Sequence, residues 1–344
     1  MAAELTRSLA ELRQADTDSF GGKSSTLGEL IAAEIPVPPG FAVSCEAFRL
    51  FVREAGLGDV IAHALERASS GDVDAVNRAS HSISEAMHSA PMPAAVRSAI
   101  EERYAALGDG VPVAVRSSAL GEDSQEATFA GQQETYLWIR GADHVCDAVR
   151  DCWVSLYSPP AISYRARLGS ASEEAAMGVT VQKMVDAEVS GVMFTCNPVS
   201  GDPSMIAINA SWGLGLAVVG GEVTPDDYLV SKVTREVVRQ KVSSKTVEYV
   251  PGEGGAVCVD VPGERRDAAC LDEAAIAELV DVGKRVERYF GSRQDIEWAI
   301  ARGDGELFIV QSRPVTGAPL KKQETRPTSA ISLVMSTFGA DKKQ

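Results

Sequence analysis

Strand-like and helix-like segments follow one another along this chain of 344 residues without the regular βαβ rhythm of a doubly wound parallel sheet. The pattern points to an α+β protein. Its sharpest local element lies near the C-terminal end. Asp295-Ile296-Glu297-Trp298-Ala299-Ile300 reads as a strand, Gly303-Asp304-Gly305 as a turn and Glu306 to Pro314 as the returning strand. Further strands are expected at 111–118, 136–139, 179–185, 190–195 and 205–210, with 179–185 and 190–195 pairing as a hairpin. Helices are expected across 44–108, across 143–168 with an interruption at Pro159-Pro160, and over 271–290, where Leu271-Asp272 marks the start. Residues 221–262 alternate polar and apolar, as in a small antiparallel sheet.

A single core rarely grows past roughly 250–300 residues, so this length predicts two lobes. The first is expected over 1–200, with a Gly-Gly-Lys turn, a helical region and a polar glycine-containing loop. The second is expected over 201–317 and holds the terminal hairpin. Residues 318–344 read as a polar tail.

Thirty-three basic residues against 48 acidic ones leave a net charge of −15. A nucleic-acid binder needs a basic face to release counterions, and an anionic membrane surface needs the same. Both classes are excluded as partners, whereas a local basic pocket is not. No run approaches the ~20 apolar residues that span a bilayer, and the first 20 residues lack an apolar signal core, so a cytoplasmic protein is expected. The six cysteines are scattered without CxxC spacing, which argues against a zinc site or a redox dithiol. His63, His81, His88 and His144 lie in polar helical stretches and read as surface or structural residues.

Three features carry chemistry. Gly21-Gly22-Lys23 lacks the upstream glycine of a Walker A loop. Paired glycines before a helix, followed by a lysine, suit either an anion cradle or an ordinary turn. Arg116 ends an apolar strand and needs an anionic partner, which is either a salt bridge or a ligand. In the terminal hairpin Glu297 lies opposite Gln311, and period two puts Gln311 and Arg313 on one face. A carboxylate and an amide oxygen are hard ligands that suit Mg²⁺, while a guanidinium suits phosphate. The alternative is cross-strand polar pairing on a solvent face.

In order, the motifs GGKSSTLGEL, IPVPPGFAVS, VAVRSSALGEDSQEATFAGQQETYL, VQKMVDAEVSGVMFTCNP, WGLGLAVVGGEVTPDDY and DIEWAI…LFIVQSRP resemble the nucleotide-binding part of the phosphoenolpyruvate synthase / pyruvate phosphate dikinase family. The resemblance spans roughly residues 15–316. It implies a two-lobed ATP-grasp fold within the α+β class, with ATP and Mg²⁺ as cofactors. Lys23, Arg116 and Arg313 would act on the phosphates. Gly131 and Thr135 would belong to a loop over them, and Gln182 would lie near adenine. Glu297 and Gln311 would hold Mg²⁺. Family members usually have Gly-Leu-Gly-Glu where this chain has Gly213-Leu214-Gly215-Leu216.

The family's phosphorylated histidine follows a Thr-Ser or Ser sequence, a setting that none of the four histidines has. The resemblance therefore implies a His-bearing catalytic subunit, carrying the acceptor site, as partner. The β,γ-pyrophosphoryl group of ATP would pass to that histidine as AMP leaves. The split arrangement and the tail point to a natural subunit, with phenylphosphate synthase as the expected enzyme. The ATP part of phosphoenolpyruvate synthase, that of a rifampin-type phosphotransferase, and a non-catalytic nucleotide sensor are the alternatives.

Overall fold

In the computed structural model, residues 4–68, 71–119, 134–168, 176–252 and 255–315 are described. Five strands form the first sheet: β1 (Thr6–Ser8), β2 (Gly40–Val43), β3 (Val113–Ala119), β4 (Thr135–Ile139) and β5 (Met177–Lys183). Their spatial order is β1-β2-β5-β3-β4, antiparallel throughout. Six strands form the second sheet: β6 (Ala187–Phe194), β7 (Met205–Trp212), β8 (Asp226–Ser231), β9 (Val237–Lys241), β12 (Gln294–Ala301) and β13 (Leu307–Pro314), in the order β13-β12-β6-β7-β8-β9. Between them in sequence, β10 (Val247–Gly252) and β11 (Gly255–Asp260) make a two-stranded ribbon.

Helices α3 (Cys45–Glu54), α4 (Gly58–Ala68), α5 (Val73–Ser89), α6 (Ala94–Leu107), α7 (Ala142–Ser155) and α8 (Pro159–Leu168) accompany the first sheet. Ser44 caps α3 and Asp72 caps α5, each accepting a backbone amide of its first turn. In the first core, Phe48 and Phe51 pack against Trp153 at centroid distances of 5.7 and 5.4 Å. Two short helices, α9 (Leu216–Val219) and α10 (Gly263–Arg266), precede α11 (Glu273–Phe290), and the second core lies between the second sheet and α11, whose Ile276, Leu279, Val280 and Val286 form one buried stripe. Asp272 caps α11, and Gly291, with φ of 67°, ends it.

The two sheets divide between Lys183 and Ala187. This corrects two expectations. Residues 187–194, placed by the sequence in the first lobe, belong to the second sheet. Segments 179–185 and 190–195 are not a hairpin: β5 pairs with β2 and β3, and β6 with β7 and β12. The first six residues of β5 are all buried, as in a strand enclosed on both faces, and both its edges are already taken. The 221–262 region likewise splits, with β8 and β9 extending the second sheet and only β10–β11 standing apart.

After the short helix α1 (Thr17–Phe20), helix α2 (Gly22–Ala32) ties the lobes together. Leu27 and Leu30 are buried in the second core with Val189, Met193 and Ile296. Its first turn, however, sits on β3 and β5 of the first sheet. The α+β, two-lobed architecture is the one expected of an ATP-grasp chain.

Candidate functional site

A cavity of about 410 Å³ opens between the facing edges of the two sheets. Its walls come from β3, β4 and β5 on one side and from β6, β12 and β13 on the other.

At one end the groups are charged. Gly21 has φ of 83°, and a Cβ there would lie 2.1 Å from the Ser118 carbonyl oxygen. Only glycine permits that approach, which lays α2 directly on β3. The Ser24 amide donates to Ser118 Oγ at 3.3 Å, and the Ser24 and Thr180 hydroxyls meet at 2.7 Å. Lys23, only 6% exposed, donates from Nζ to the Ser117 carbonyl at 2.8 Å and lines the cavity.

Arg116 reaches across from β3. Its Nη1 donates to the Val310 carbonyl of β13 at 3.1 Å, and its Nη2 stands 4.0 Å from Glu297 Oε2. The side chain is 12% exposed, yet among the described residues Nε has no hydrogen-bond partner. A buried guanidinium nitrogen left unpaired marks a place for an anion or for water.

The hairpin β12–β13 supplies the rest. Glu297 and Gln311 are direct cross-strand partners, as are Asp295 and Arg313. Arg313 Nε donates to Asp295 Oδ2 at 2.9 Å. Burial pushes the Asp295 carboxyl above the usual carboxylate value, against the pull of the Arg313 charge. The β13 strand carries one extra residue, Val310, between the partners of Glu297 and Trp298. That bulge brings the Val310 carbonyl within reach of Arg116.

The other end is largely apolar, although Lys183, between Gln182 and Met184, also lines the cavity. Leu137, Met184, Val185, Leu214 and Leu216 line it, and Gln182 sits beside them, buried, with Nε2 3.3 Å from the Pro38 carbonyl. Here too a bulge shapes the wall. Two residues of β4, Leu137 and Trp138, oppose Ala114 alone on β3, and Trp138 has φ of 63°. A bulky residue in the left-handed region is strained. The result is that consecutive residues serve the same junction. Leu137 lines the cavity, while Trp138 packs with Leu214, Ala187 and Ala299 behind its wall.

Lys23, Arg116, Thr135, Gln182, Glu297, Gln311 and Arg313 all line this one cavity. Gly131 lies outside the described residues, as do most of its loop and the 318–344 tail. Sequence reasoning missed Asp295, although its place two residues before Glu297 put it on the same face and opposite Arg313. It also missed Leu137 and Trp138, for which no glycine or proline gave a signal. None of the four histidines lines the cavity. His63, His88 and His144, on helices α4, α5 and α7, bond to the backbone carbonyls of Asp59, Ser84 and Arg140. All six cysteines are free thiols. Among the described residues no helix is long and apolar enough to cross a membrane.

The model of the pyruvate phosphate dikinase AMP/ATP-binding domain matches residues 17–331. The chain belongs to this family. Similar curated proteins include the probable phosphoenolpyruvate synthases of Methanocaldococcus jannaschii, 42% identical over 92% of this chain and 27% of that protein, and of Methanothermobacter thermautotrophicus, 42% identical over 94% and 48%. The phosphoenolpyruvate synthase of Pyrococcus furiosus is 39% identical over 94% of this chain and 45% of its own. The chain thus spans about a quarter to a half of the length of these relatives. They support the dikinase family's ATP-binding domain; they lend no support to phenol as the acceptor. For a domain of this family, the cationic end and the apolar end of one cavity are the features that bear on ATP.

Proposed function

We propose that this chain is the ATP-binding, pyrophosphoryl-donating part of a phosphoenolpyruvate synthase-type dikinase. The observation that carries the reading is the polarity of one cavity. Lys23, Arg116 and Arg313 converge at one end of it, in a chain of net charge −15, and an apolar wall closes the other. That arrangement suits a polyphosphate joined to a flat base.

In this reading the triphosphate lies among Lys23, Arg116 and Arg313, and adenine lies against Met184, Val185 and Leu214, with Gln182 at its edge. Thr135, which opens β4 opposite Arg116 rather than lying in a loop, stands beside the phosphates. A histidine nitrogen on another domain or chain attacks the β-phosphorus. The bond from the α,β-bridging oxygen to that phosphorus breaks, AMP leaves with the electron pair, and a pyrophosphoryl-histidine forms. The cations neutralise the charge that shifts onto AMP in the transition state. Arg116 is placed for this, because its carbonyl anchor fixes one nitrogen and leaves Nε unpartnered.

Glu297 and Gln311 fit Mg²⁺. They are two oxygen donors set opposite each other, and Mg²⁺ takes one or two protein oxygens, with phosphates and waters completing its shell. They would hold it, and when bound it would neutralise phosphate oxygens. No histidine of this chain reaches the cavity, so the phosphoryl acceptor comes from elsewhere.

Calorimetric titration of the chain with ATP and Mg²⁺ tests the reading. Saturable binding that Arg116→Ala weakens at least tenfold is expected. AMP should form only when the His-bearing protein is added. Absence of ATP binding, or unchanged affinity in Arg116→Ala, would overturn it.

A further inference from the structure

The apolar wall of the cavity depends on a turn that is not itself part of any sheet. Residues Gly213 to Leu216, the last of them opening α9, leave the end of β7 and carry Leu214 and Leu216 into the cavity. Among the described residues, three hydrogen bonds tie this turn to the neighbouring strands. The Gly213 amide donates to the Glu188 carbonyl of β6 at 2.9 Å, and the Leu214 amide donates to the Tyr249 carbonyl of β10 at 2.9 Å. The third is the one bond of the three made by a side chain. Ser190 Oγ, on β6 and 4% exposed, donates to the Gly213 carbonyl at 2.6 Å.

The fit around this turn is close. Gly213 has φ of 71°, and a Cβ on it would lie 2.4 Å from the Tyr249 carbonyl oxygen. Leu214 then packs with Trp138 of the first sheet and with Tyr249 and Ala256 of the ribbon. The turn is therefore the piece where both lobes and the ribbon meet, and Ser190 pins its carbonyl from inside the cavity. Without that hydroxyl the Gly213 carbonyl loses its donor, and a buried acceptor left unpaired favours other conformations of the turn.

We infer that Ser190 is a positioning residue for the base end of the cavity: it holds the Gly213–Leu216 turn in the conformation that presents Leu214 and Leu216 to a purine. This rests on the nucleotide reading above. The charged end is fixed independently, by α2 on β3 and by the β12–β13 hairpin. It is also set apart along β3, since Ala114 and Ser117 are separated by about 10 Å of extended chain. Ser190 should therefore affect the nucleoside and leave the phosphates alone.

The test is calorimetric titration of the chain, as wild type, Ser190→Ala and Ser190→Thr, with adenosine, with ATP and with inorganic pyrophosphate, Mg²⁺ present throughout. In Ser190→Ala, affinity for adenosine and ATP should fall about tenfold, because the competent turn becomes a minor state. Pyrophosphate affinity should stay within about twofold. Ser190→Thr keeps the hydroxyl, and Gly215 opposite it has no Cβ, so adenosine binding should return. If thermal unfolding shows that Ser190→Ala does not fold, Ser190→Cys, of the same shape with a weaker donor, takes its place. Unchanged adenosine affinity in the alanine variant overturns the inference. So does an equal loss of adenosine and pyrophosphate, which is the mark of a general structural defect. A wild-type chain that binds neither ATP nor adenosine fails the nucleotide reading itself and the inference with it.

Discussion

Two pairs of opposite charge in this molecule are built in opposite ways. Asp226 and Lys245 lie in the second lobe, both fully buried, 2.6 Å apart. Every oxygen of the carboxylate is used. Oδ1 accepts from Lys245 Nζ and the Ser243 amide, and Oδ2 accepts from the Cys270 amide. Lys245 also donates to the Ser243 carbonyl at 2.7 Å. In the cavity, Arg116 and Glu297 stand 4.0 Å apart, beyond hydrogen-bonding reach, with Arg116 Nε unpartnered. The first pair is closed and pins three chain segments, those around Asp226, Ser243 and Cys270, to one another. The second is left open. A fold that completes a fully buried ion pair and leaves a partly exposed one incomplete has placed the incomplete one where something else completes it.

The largest expected effect comes from breaking the closed pair. Lys245→Met leaves Asp226 buried and uncompensated, which costs about 3–5 kcal/mol. Urea unfolding should show the midpoint falling by that measure, and ATP affinity of the folded fraction should stay near wild type. A variant as stable as wild type would show that the pair contributes nothing.

Arg116→Ala should do the reverse. Stability should change by less than about 1 kcal/mol, because the pair with Glu297 is too long to hold much. Turnover with the His-bearing partner should fall on the order of 10²-fold. A loss of stability larger than the loss of turnover would make Arg116 a structural residue and remove the contrast.

Gly21→Ala sharpens the comparison at the base of the charged end. An alanine there must adopt φ of 83° and meet the Ser118 backbone at 2.1 Å. Left-handed backbone costs a non-glycine residue about 1–2 kcal/mol, and the collision adds to it. Helix α2 should back away from β3 and carry Lys23 with it, so denaturant stability and pyrophosphate affinity should fall together. Retention of both would show that α2 does not set the position of Lys23.

How far the sequence could be read depended on how local each feature is. The β12–β13 hairpin was legible because Gly303-Asp304-Gly305 sets the turn, but a regular register from that turn would set Glu297 opposite Val310, and it is the bulge at Val310 that brings Gln311 there. The helices were legible from their apolar spacing and from caps such as Asp272. The split of β5 and β6 into different sheets was not, since two short apolar strands with a tight link look like a hairpin until their other partners are known. The bulges at Leu137-Trp138 and Val310 carry no glycine or proline, yet one brings two neighbouring side chains to the interlobe junction and the other supplies the anchor for Arg116. Asp226 and Lys245 are paired through the fold and not through a motif. Lys23 was singled out as a cation, but its burial against the Ser117 carbonyl depends on the contact that Gly21 allows.

The smallest expected effect concerns Asp295, which stands between the two kinds of pair. Like Asp226 it is mostly buried, and like Glu297 it is paired with an arginine of the site, with half-exposed Arg313 as its partner at 2.9 Å. Burial holds its carboxyl above the ordinary 3.8, the opposing pull of Arg313 being the weaker. Between the ordinary value and the raised one, the folded state therefore binds more protons at this group than the unfolded state does. Stability from this group then falls as pH rises through that window and is level above it. Asp295→Asn removes the titration, so the stability of the variant relative to wild type should climb across the window and then stay constant. Urea unfolding of both proteins from about pH 3.5 to 7 reads this directly. A difference that falls with pH would mean that Arg313 outweighs burial, and Asp295 would then belong with the closed, stabilising pair.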